Sequence, residues 1–597
     1  LQEAGQMVDK LEHYATSQQG LGDWRTFVTF LADDGDNDRY QKDSELLAAQ
    51  VNQNIQSVNT RKIYLDAYEQ ERFPNQEVAP AVNQAIEETI EKGTLLFNYV
   101  GHGNEQRLAD ENVLNVGMIS RWKNLDRMPF FVTATCEFGR YDDPERISGA
   151  ERLVLLPEGG AVGMVTTARP VFSNTNYLLN RSFYRYVFAR EAGTFLRIGD
   201  VFRKTKNDAL NGRDNRNFTL LADPSMRLAY PRHQIVIDSI LSLNAQMSTD
   251  TVRAMEEVRI FGRIVCDNGK DRLESFEGEL SLVLHDKALE VQTQGNEGTV
   301  MQFKESENVI NRVRARVVQG MFSVDLLVPQ NINYKKAQGR ISMYALEPNA
   351  LTDAFGGLDS LYVGGSLPDV LRDTQGPQIQ LFINDTTFQD GGISGPEPTL
   401  IAHFRDQQGI NLSRQQAGHE ILAILKRVDR EISDRTLLLN DFYRPQLNNF
   451  RLGHLQYPLG SLEEGKYMLT LYAWDTHNNS SETSVVFQVT DRKKLLIQNF
   501  SSYPNPFSEA TTFTLEHNRA GEHLRVLLSL FDMQGNQLFQ MEKDFQSASG
   551  RLEITNWLLE NGISATLSPG VYLASVRLRA QEDGQEDIQS LRIIVTN

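Results

Sequence analysis

Thr94-Leu95-Leu96-Phe97-Asn98-Tyr99-Val100-Gly101-His102-Gly103 and Pro129-Phe130-Phe131-Val132-Thr133-Ala134-Thr135-Cys136-Glu137-Phe138-Gly139 decide the fold. Each begins as a short, β-prone run almost without charge, the pattern of a strand buried on both faces of a parallel sheet. Each run then ends in a reactive side chain. Loops after the carboxyl ends of parallel strands are where α/β folds build their sites. The reading therefore sets His102 and Cys136 side by side at one sheet edge. An imidazole beside a thiol favours the thiolate, which is the nucleophilic form. Glycines on both sides of His102 let the backbone turn tightly and present its N–H groups. A lone buried Cys is usually an inert small hydrophobe, so it is the pairing that carries the catalytic reading.

A hydrophobic block ending in Tyr99-Val100-Gly101-His102-Gly103, followed by one ending in Ala134-Thr135-Cys136, resembles the caspase-like cysteine peptidases, and within them the gingipain family. Phe218-Thr219-Leu220-Leu221-Ala222-Asp223-Pro224-Ser225-Met226-Arg227-Leu228 resembles the end of that family's peptidase domain. The long β-rich remainder is similar to the sortase branch of the family, which serves type IX secretion.

The surrounding sequence agrees with an α/β unit up to about residue 232. Helices are expected at Glu3–Thr16, Ser44–Ile55, Pro80–Lys92, Ile147–Leu156, Asn174–Ala189 and Thr194–Leu210. Further strands are expected at Trp24–Leu31, Arg61–Tyr68 and Ala161–Thr167. The first of these strands runs into an acidic loop, Asp33-Asp34-Gly35-Asp36-Asn37-Asp38. The resemblance implies that a carboxylate here orients the catalytic His, and Asp34 matches that position best, with Asp33 next. Asp34, Asp36 and Asp38 alternate like the start of a calcium loop, but Arg39 stands where an EF-hand needs Gly. Calcium in a looser site stays open, and no other cofactor is called for. The plain alternative is a solvated acidic turn.

Beyond Arg232, strands of four to eight residues recur between Gly, Asn and Asp turns, the pattern of β-sandwiches. The expected architecture is a caspase-like α/β peptidase unit (1–232), a β-sandwich (233–370), an immunoglobulin-like β-sandwich (371–492) and a final β-sandwich (493–597). In the last, Tyr503-Pro504-Asn505-Pro506-Phe507, Asp532-Met533-Gln534-Gly535 and Gly570-Val571-Tyr572 resemble the C-terminal signal domain of type IX cargo. Leu591-Arg592-Ile593-Ile594-Val595 has Arg where such domains often carry Lys.

Length and composition bound these readings. A chain of 597 residues exceeds one core. The net charge of −18 argues against nucleic-acid binding. No apolar run approaches the roughly 20 residues that span a bilayer. The chain opens on Leu1 in a helix, and the gingipain-like fold has a further sheet-bearing half upstream, so a mature fragment or one piece of a longer protein is expected. The two cysteines, Cys136 and Cys266, fall in different modules, which speaks against a disulfide. No Cys/His cluster has zinc-ligand spacing.

These readings make Cys136 the nucleophile and His102 the base and later acid, with the Gly103 and Cys136 N–H groups as oxyanion hole. A thioester acyl-enzyme can be resolved by water or by an amine. The resemblance implies both outcomes: removal of C-terminal signal domains from secreted cargo, and transfer of cargo to anionic lipopolysaccharide. It also implies a cell-surface enzyme docked through residues 497–597 on the outer-membrane β-barrel protein PorV. Two alternatives stay open, a gingipain-like secreted endopeptidase and a non-enzymatic adhesin.

Overall fold

The computed structural model describes residues 2–596 apart from 75, 210–213, 267–268, 307, 350, 368–372, 415–417, 431–432, 491–494, 547 and 556–566. Residues 491–494, where the expected boundary between the third and fourth modules falls, lie outside the described residues. Two compact units divide the chain: residues 1–370 with 413–415 and 447–449, and the remainder.

The first unit is built on a six-stranded sheet. Its strands are β1 (Phe27–Ala32), β2 (Asn59–Tyr64), β3 (Leu96–Val100), β4 (Phe130–Ala134), β5 (Gly163–Thr167) and β6 (Phe218–Leu221). Their spatial order is β6-β5-β4-β3-β1-β2, parallel except for the antiparallel edge strand β6. Strands β3, β4 and β5 are buried throughout, as their uncharged composition demands.

Alternation along the strands fills two cores. Phe30, Leu96 and Phe130 face the layer that includes Leu47 of α2 (Gly35–Asn54), Phe183 of α5 (Ser173–Tyr186) and Val201 of α6 (Ile198–Ala209). Leu31, Phe97 and Phe131 face the other layer, with Ile86 of α3 (Pro80–Lys92) and Leu153 of α4 (Gly149–Leu155). The rings of Phe97 and Phe131 stack at 4.8 Å across β3 and β4. This is the α/β caspase-like arrangement expected from the sequence, followed by β sheets. The regular right-handed part of α2 follows Asp38, because Asp36, Asn37 and Asp38 ahead of it have left-handed backbone.

Residues 233–366 form an eight-stranded and a three-stranded sheet, and their packing merges with the peptidase region. The Leu289–Gln292/Gln302–Glu305 hairpin meets β2 at Lys62 and Tyr64. Phe303 sits in the same core as Phe30 and Phe183, its ring 4.7 Å from that of Tyr64. Lys62 Nζ donates to the Lys304 carbonyl at 2.7 Å. Deeper in, Asp353 receives Arg25 at 3.0 Å and the Tyr344 hydroxyl at 2.9 Å, all three buried.

In the second unit, residues 378–489 form a four-stranded and a five-stranded sheet, and residues 497–595 a three-stranded and a four-stranded sheet. The last pair closes on its own core, with Phe513, Leu528, Val576 and Ile593. Among the described residues no helix is long and apolar enough to cross a membrane.

If residues 1–370 melt as one body, removing a ring at their internal seam destabilises the peptidase region itself. Phe303→Ala is expected to cost about 3–5 kcal/mol. It should lower the Tm of the whole first unit in one transition, which calorimetry on the full chain resolves from the second.

Candidate active site

Strand register brings the sequence-predicted residues to one edge. Ala32 pairs with Val100, and Val100 with Ala134. Asp34, His102 and Cys136 each lie two residues beyond those partners, on adjacent strands about 4.8 Å apart. This is also where the strand order turns back, β1 lying between β2 and β3, which is the ligand-binding edge of open α/β sheets.

The His102 backbone is held at three points. Its N–H donates to Asp33 Oδ2 at 2.7 Å, and its carbonyl accepts the Tyr99 hydroxyl at 2.5 Å and the Ala109 N–H at 3.0 Å. Gly101 makes this possible, because a Cβ there would overlap the Asp33 Cβ and the Tyr99 hydroxyl. The imidazole itself is half-exposed. Its Nε2 lies 3.8 Å from Asp36 Oδ1, and its ring stands edge-on to Tyr40 at 5.2 Å. Asp36 Oδ2 accepts the Tyr40 hydroxyl at 2.8 Å.

The carboxylate facing the imidazole is thus Asp36. Asp34 is fully buried and its Oδ2 accepts from the Gln70 amide at 2.6 Å, while Asp33 supports the His102 backbone. Asp38 Oδ2 accepts the Thr299 N–H and hydroxyl at 2.6 and 2.9 Å. Asp34, Asp36 and Asp38 therefore serve three different partners. Sequence reasoning weighed Asp36 only as a metal ligand. The signal it lacked is the left-handed backbone of Asp36, Asn37 and Asp38, with φ of 54°, 59° and 61°.

Cys136 is partly exposed at the end of β4. The Asn176 amide donates to the Ala134 carbonyl at 3.1 Å, Thr167 Oγ1 donates to the Thr135 carbonyl, and the Cys136 thiol points at the Val171 carbonyl 3.7 Å away. Glu137 follows with φ of 56°, a sharp turn that ends the strand and leaves the thiol at its rim. Tyr40 lies within electrostatic reach of both Asp33 and Cys136. Gly103 bridges to Leu108, and a Cβ on it would press against Thr135 Oγ1 at 2.6 Å. Glu105 ties the two loops together, accepting from Arg140 at 2.5 Å and Arg146 at 3.2 Å.

Beneath the site, burial raises three carboxyl groups. Asp33 is pushed up to about 7 despite its two backbone N–H donors, with Asp34 adding to the rise. Glu111 is pushed up to about 8, and Asp34 moves the same way. Glu111 lies in a turn whose place under His102 no local pattern announced.

Residues 1–229 match the family model described as peptidase family C25. That segment is thus similar to the gingipain family of cysteine peptidases, and the match covers less than half of the chain. Among solved structures the chain is similar to latent dimeric PorU from Porphyromonas gingivalis, with 26% identity and a TM-score of 0.30. That match covers 74% of this chain and 41% of PorU, so the chain spans about two fifths of that protein's length. It is also similar to the Arg-specific cysteine proteinase gingipain R, with 12% identity and a TM-score of 0.32, over 60% of this chain and 72% of that one. A complex of the Porphyromonas gingivalis RgpB pro- and mature domains gives 12% identity and a TM-score of 0.31, over 59% and 73%. No curated protein sequence matches the chain.

The raised carboxyls set a pH dependence in metal-free buffer. Folded Asp33 and Glu111 hold protons more tightly than the unfolded chain does, so their contribution is complete below about pH 4 and falls as pH rises through about 7 and 8. Tm should therefore decline across that window, and Asp33→Asn or Glu111→Gln should flatten the decline. Gly101→Ala, which displaces Asp33, is expected to lower stability by about 3 kcal/mol or more in denaturant titration.

Proposed function

We propose that this protein is a cell-surface cysteine peptidase with transpeptidase capacity, acting on secreted cargo that carries C-terminal signal domains. The observation that carries the peptidase reading is the common level of His102 and Cys136 at adjacent strand ends. In this reading His102 takes the proton of the Cys136 thiol, and the thiolate attacks the scissile carbonyl carbon. The developing oxyanion is held by the Gly103 and Cys136 N–H groups. His102 then protonates the leaving amine, which departs and leaves a thioester on Cys136. Water releases a free carboxylate. An amine acceptor on anionic lipopolysaccharide instead gives an amide, with the thiol regenerated in either case. Asp36 stabilises the imidazolium.

The last module supports retention at the surface and not removal. It is fastened to the preceding sandwich: the Gln498 amide donates to the Gly391 carbonyl at 3.0 Å, the Ile393 N–H donates to Gln498 Oε1 at 3.1 Å, and the Gly550 N–H donates to Asp385 at 2.9 Å. A domain meant to be cut away would hang on a free linker. We therefore assign residues 497–597 to docking on the outer-membrane barrel protein PorV. A secreted endopeptidase that degrades external proteins is the second reading, favoured by the half-exposed His102 and the open rim.

Mass spectrometry of cargo C-termini decides among these. New free carboxyl ends mean hydrolysis, ends joined to an amine-bearing glycan mean transfer, and unchanged cargo sinks both. Cys136→Ala and His102→Ala should each abolish processing, and the double variant should lose no more than either alone. Asp36→Asn is expected to lower kcat about tenfold, a barrier rise of about 1.4 kcal/mol, with KM unchanged. Deleting residues 497–597 should release the enzyme from the membrane fraction with its chemistry on small substrates intact.

A further inference from the structure

We propose that Tyr40 is a positioning residue, holding the Asp36 carboxylate opposite the imidazole from inside the core; this rests on the His102–Cys136 reading given above. The three backbone bonds at His102 orient its turn, but they put no negative charge opposite Nε2 when a proton arrives there. Asp36 is the carboxylate on that side, its Oδ1 3.8 Å from Nε2. That distance is too long for a hydrogen bond and short enough for a charge pair once the ring is protonated.

Asp36 is poorly built to hold that position alone. Its side chain is 51% exposed and its backbone is left-handed, with φ of 54°. A carboxylate free to turn into solvent is screened there and contributes little to a pair. Tyr40 removes that freedom. It lies four residues on, at the start of the regular part of α2, and its hydroxyl donates to Asp36 Oδ2 at 2.8 Å. One carboxylate oxygen is thereby bound, and the other is left facing the imidazole.

Tyr40 cannot itself swing outward. It is 5% exposed and belongs to the core that includes Phe30, Leu47 and Val100. Its ring crosses the imidazole at 84°, with centroids 5.2 Å apart, an edge-to-face pair. Burial, and then the hydrogen bond to Asp36, push its hydroxyl well above the usual tyrosine range. The hydroxyl therefore stays a neutral donor at any working pH. It is a hold on Asp36 and not a proton source. Cys136 lies within electrostatic reach of the same side chain, so the hold acts where imidazolium and thiolate form together. Core rigidity sets the direction of an exposed charge through one hydrogen bond.

Tyr40→Phe tests this, because it keeps the ring and its packing and deletes only the hydroxyl. In the full chain it should lower kcat about fivefold with KM unchanged, on the peptide p-nitroanilide that the wild-type chain cleaves fastest. Iodoacetamide labelling of Cys136 at about pH 7, read by mass spectrometry of its peptide, should slow by a similar factor. Labelling needs no substrate, so it decides the matter where no anilide is cleaved and stands even if the cargo assigned above is wrong. In an Asp36→Asn background, where no charge is left to aim, Tyr40→Phe should change either rate by less than about twofold. Equal losses in both backgrounds overturn the proposal. So does a Tyr40→Phe chain with wild-type kcat and labelling, or one whose loss lies in KM alone. If Tyr40→Phe does not fold, Asp36→Glu reads the same contact from the exposed side. It keeps the charge but carries it one methylene past the hydroxyl, so kcat and labelling should fall as far as in Asp36→Asn. Wild-type rates in Asp36→Glu then overturn the proposal.

Discussion

One contact sets the geometry of the site: the buried Asp33 carboxylate accepting the His102 N–H at 2.7 Å. It links the end of β1 to the end of β3, and it is possible only because Gly101 has no side chain. The Tyr99 hydroxyl and Ala109 N–H then fix the other side of the same peptide unit. With backbone orientation fixed by three bonds, the half-exposed imidazole needs little from its own side-chain partners.

This contact places a charge problem under the site. Asp33 cannot be moved to solvent without releasing His102, and Asp34 follows it directly in sequence. Glu111 is brought in by the turn that returns from His102 through Ala109 and Asn112, both left-handed. The acidity below the imidazole is a consequence of building a His turn from the ends of two parallel strands. Burial answers it by making Asp33 and Glu111 hold protons more tightly than exposed carboxyls do.

The strands that carry His102 and Cys136 were legible in sequence because their runs are short, apolar and abruptly ended. Strand-end chemistry needs only the correct register, and neighbouring parallel strands of equal length supply it. The helices were legible within a few residues for the same local reason. The acidic loop was not. Three consecutive left-handed non-glycine residues have no propensity signature, so the face presented by Asp34 and by Asp36 could not be assigned from spacing. Glu111 and Gln70 were missed because only the folded turn brings them near Asp34. The module boundary near residue 232 marks a change of strand pattern. It says nothing of packing, and Phe303 and Phe355 belong to the core of the peptidase region.

The left-handed segment also explains why the first β module packs where it does. Each such residue costs roughly 1–2 kcal/mol, so Asp36 to Asp38 would relax if left unsupported. Support comes from the hairpin tip, where Thr299 donates twice to Asp38 and the glycine at 298 leaves room for that carboxylate. The same tip donates the Gly295 and Asn296 N–H groups to Asp66 at 2.6 and 2.8 Å. The loop that faces the imidazole is therefore fastened by residues far along the chain, outside the 1–229 segment that matches the peptidase family. The geometry of the candidate site is a property of residues 1–370 together, and a cut at the end of the family segment would remove the fastener while sparing His102 and Cys136.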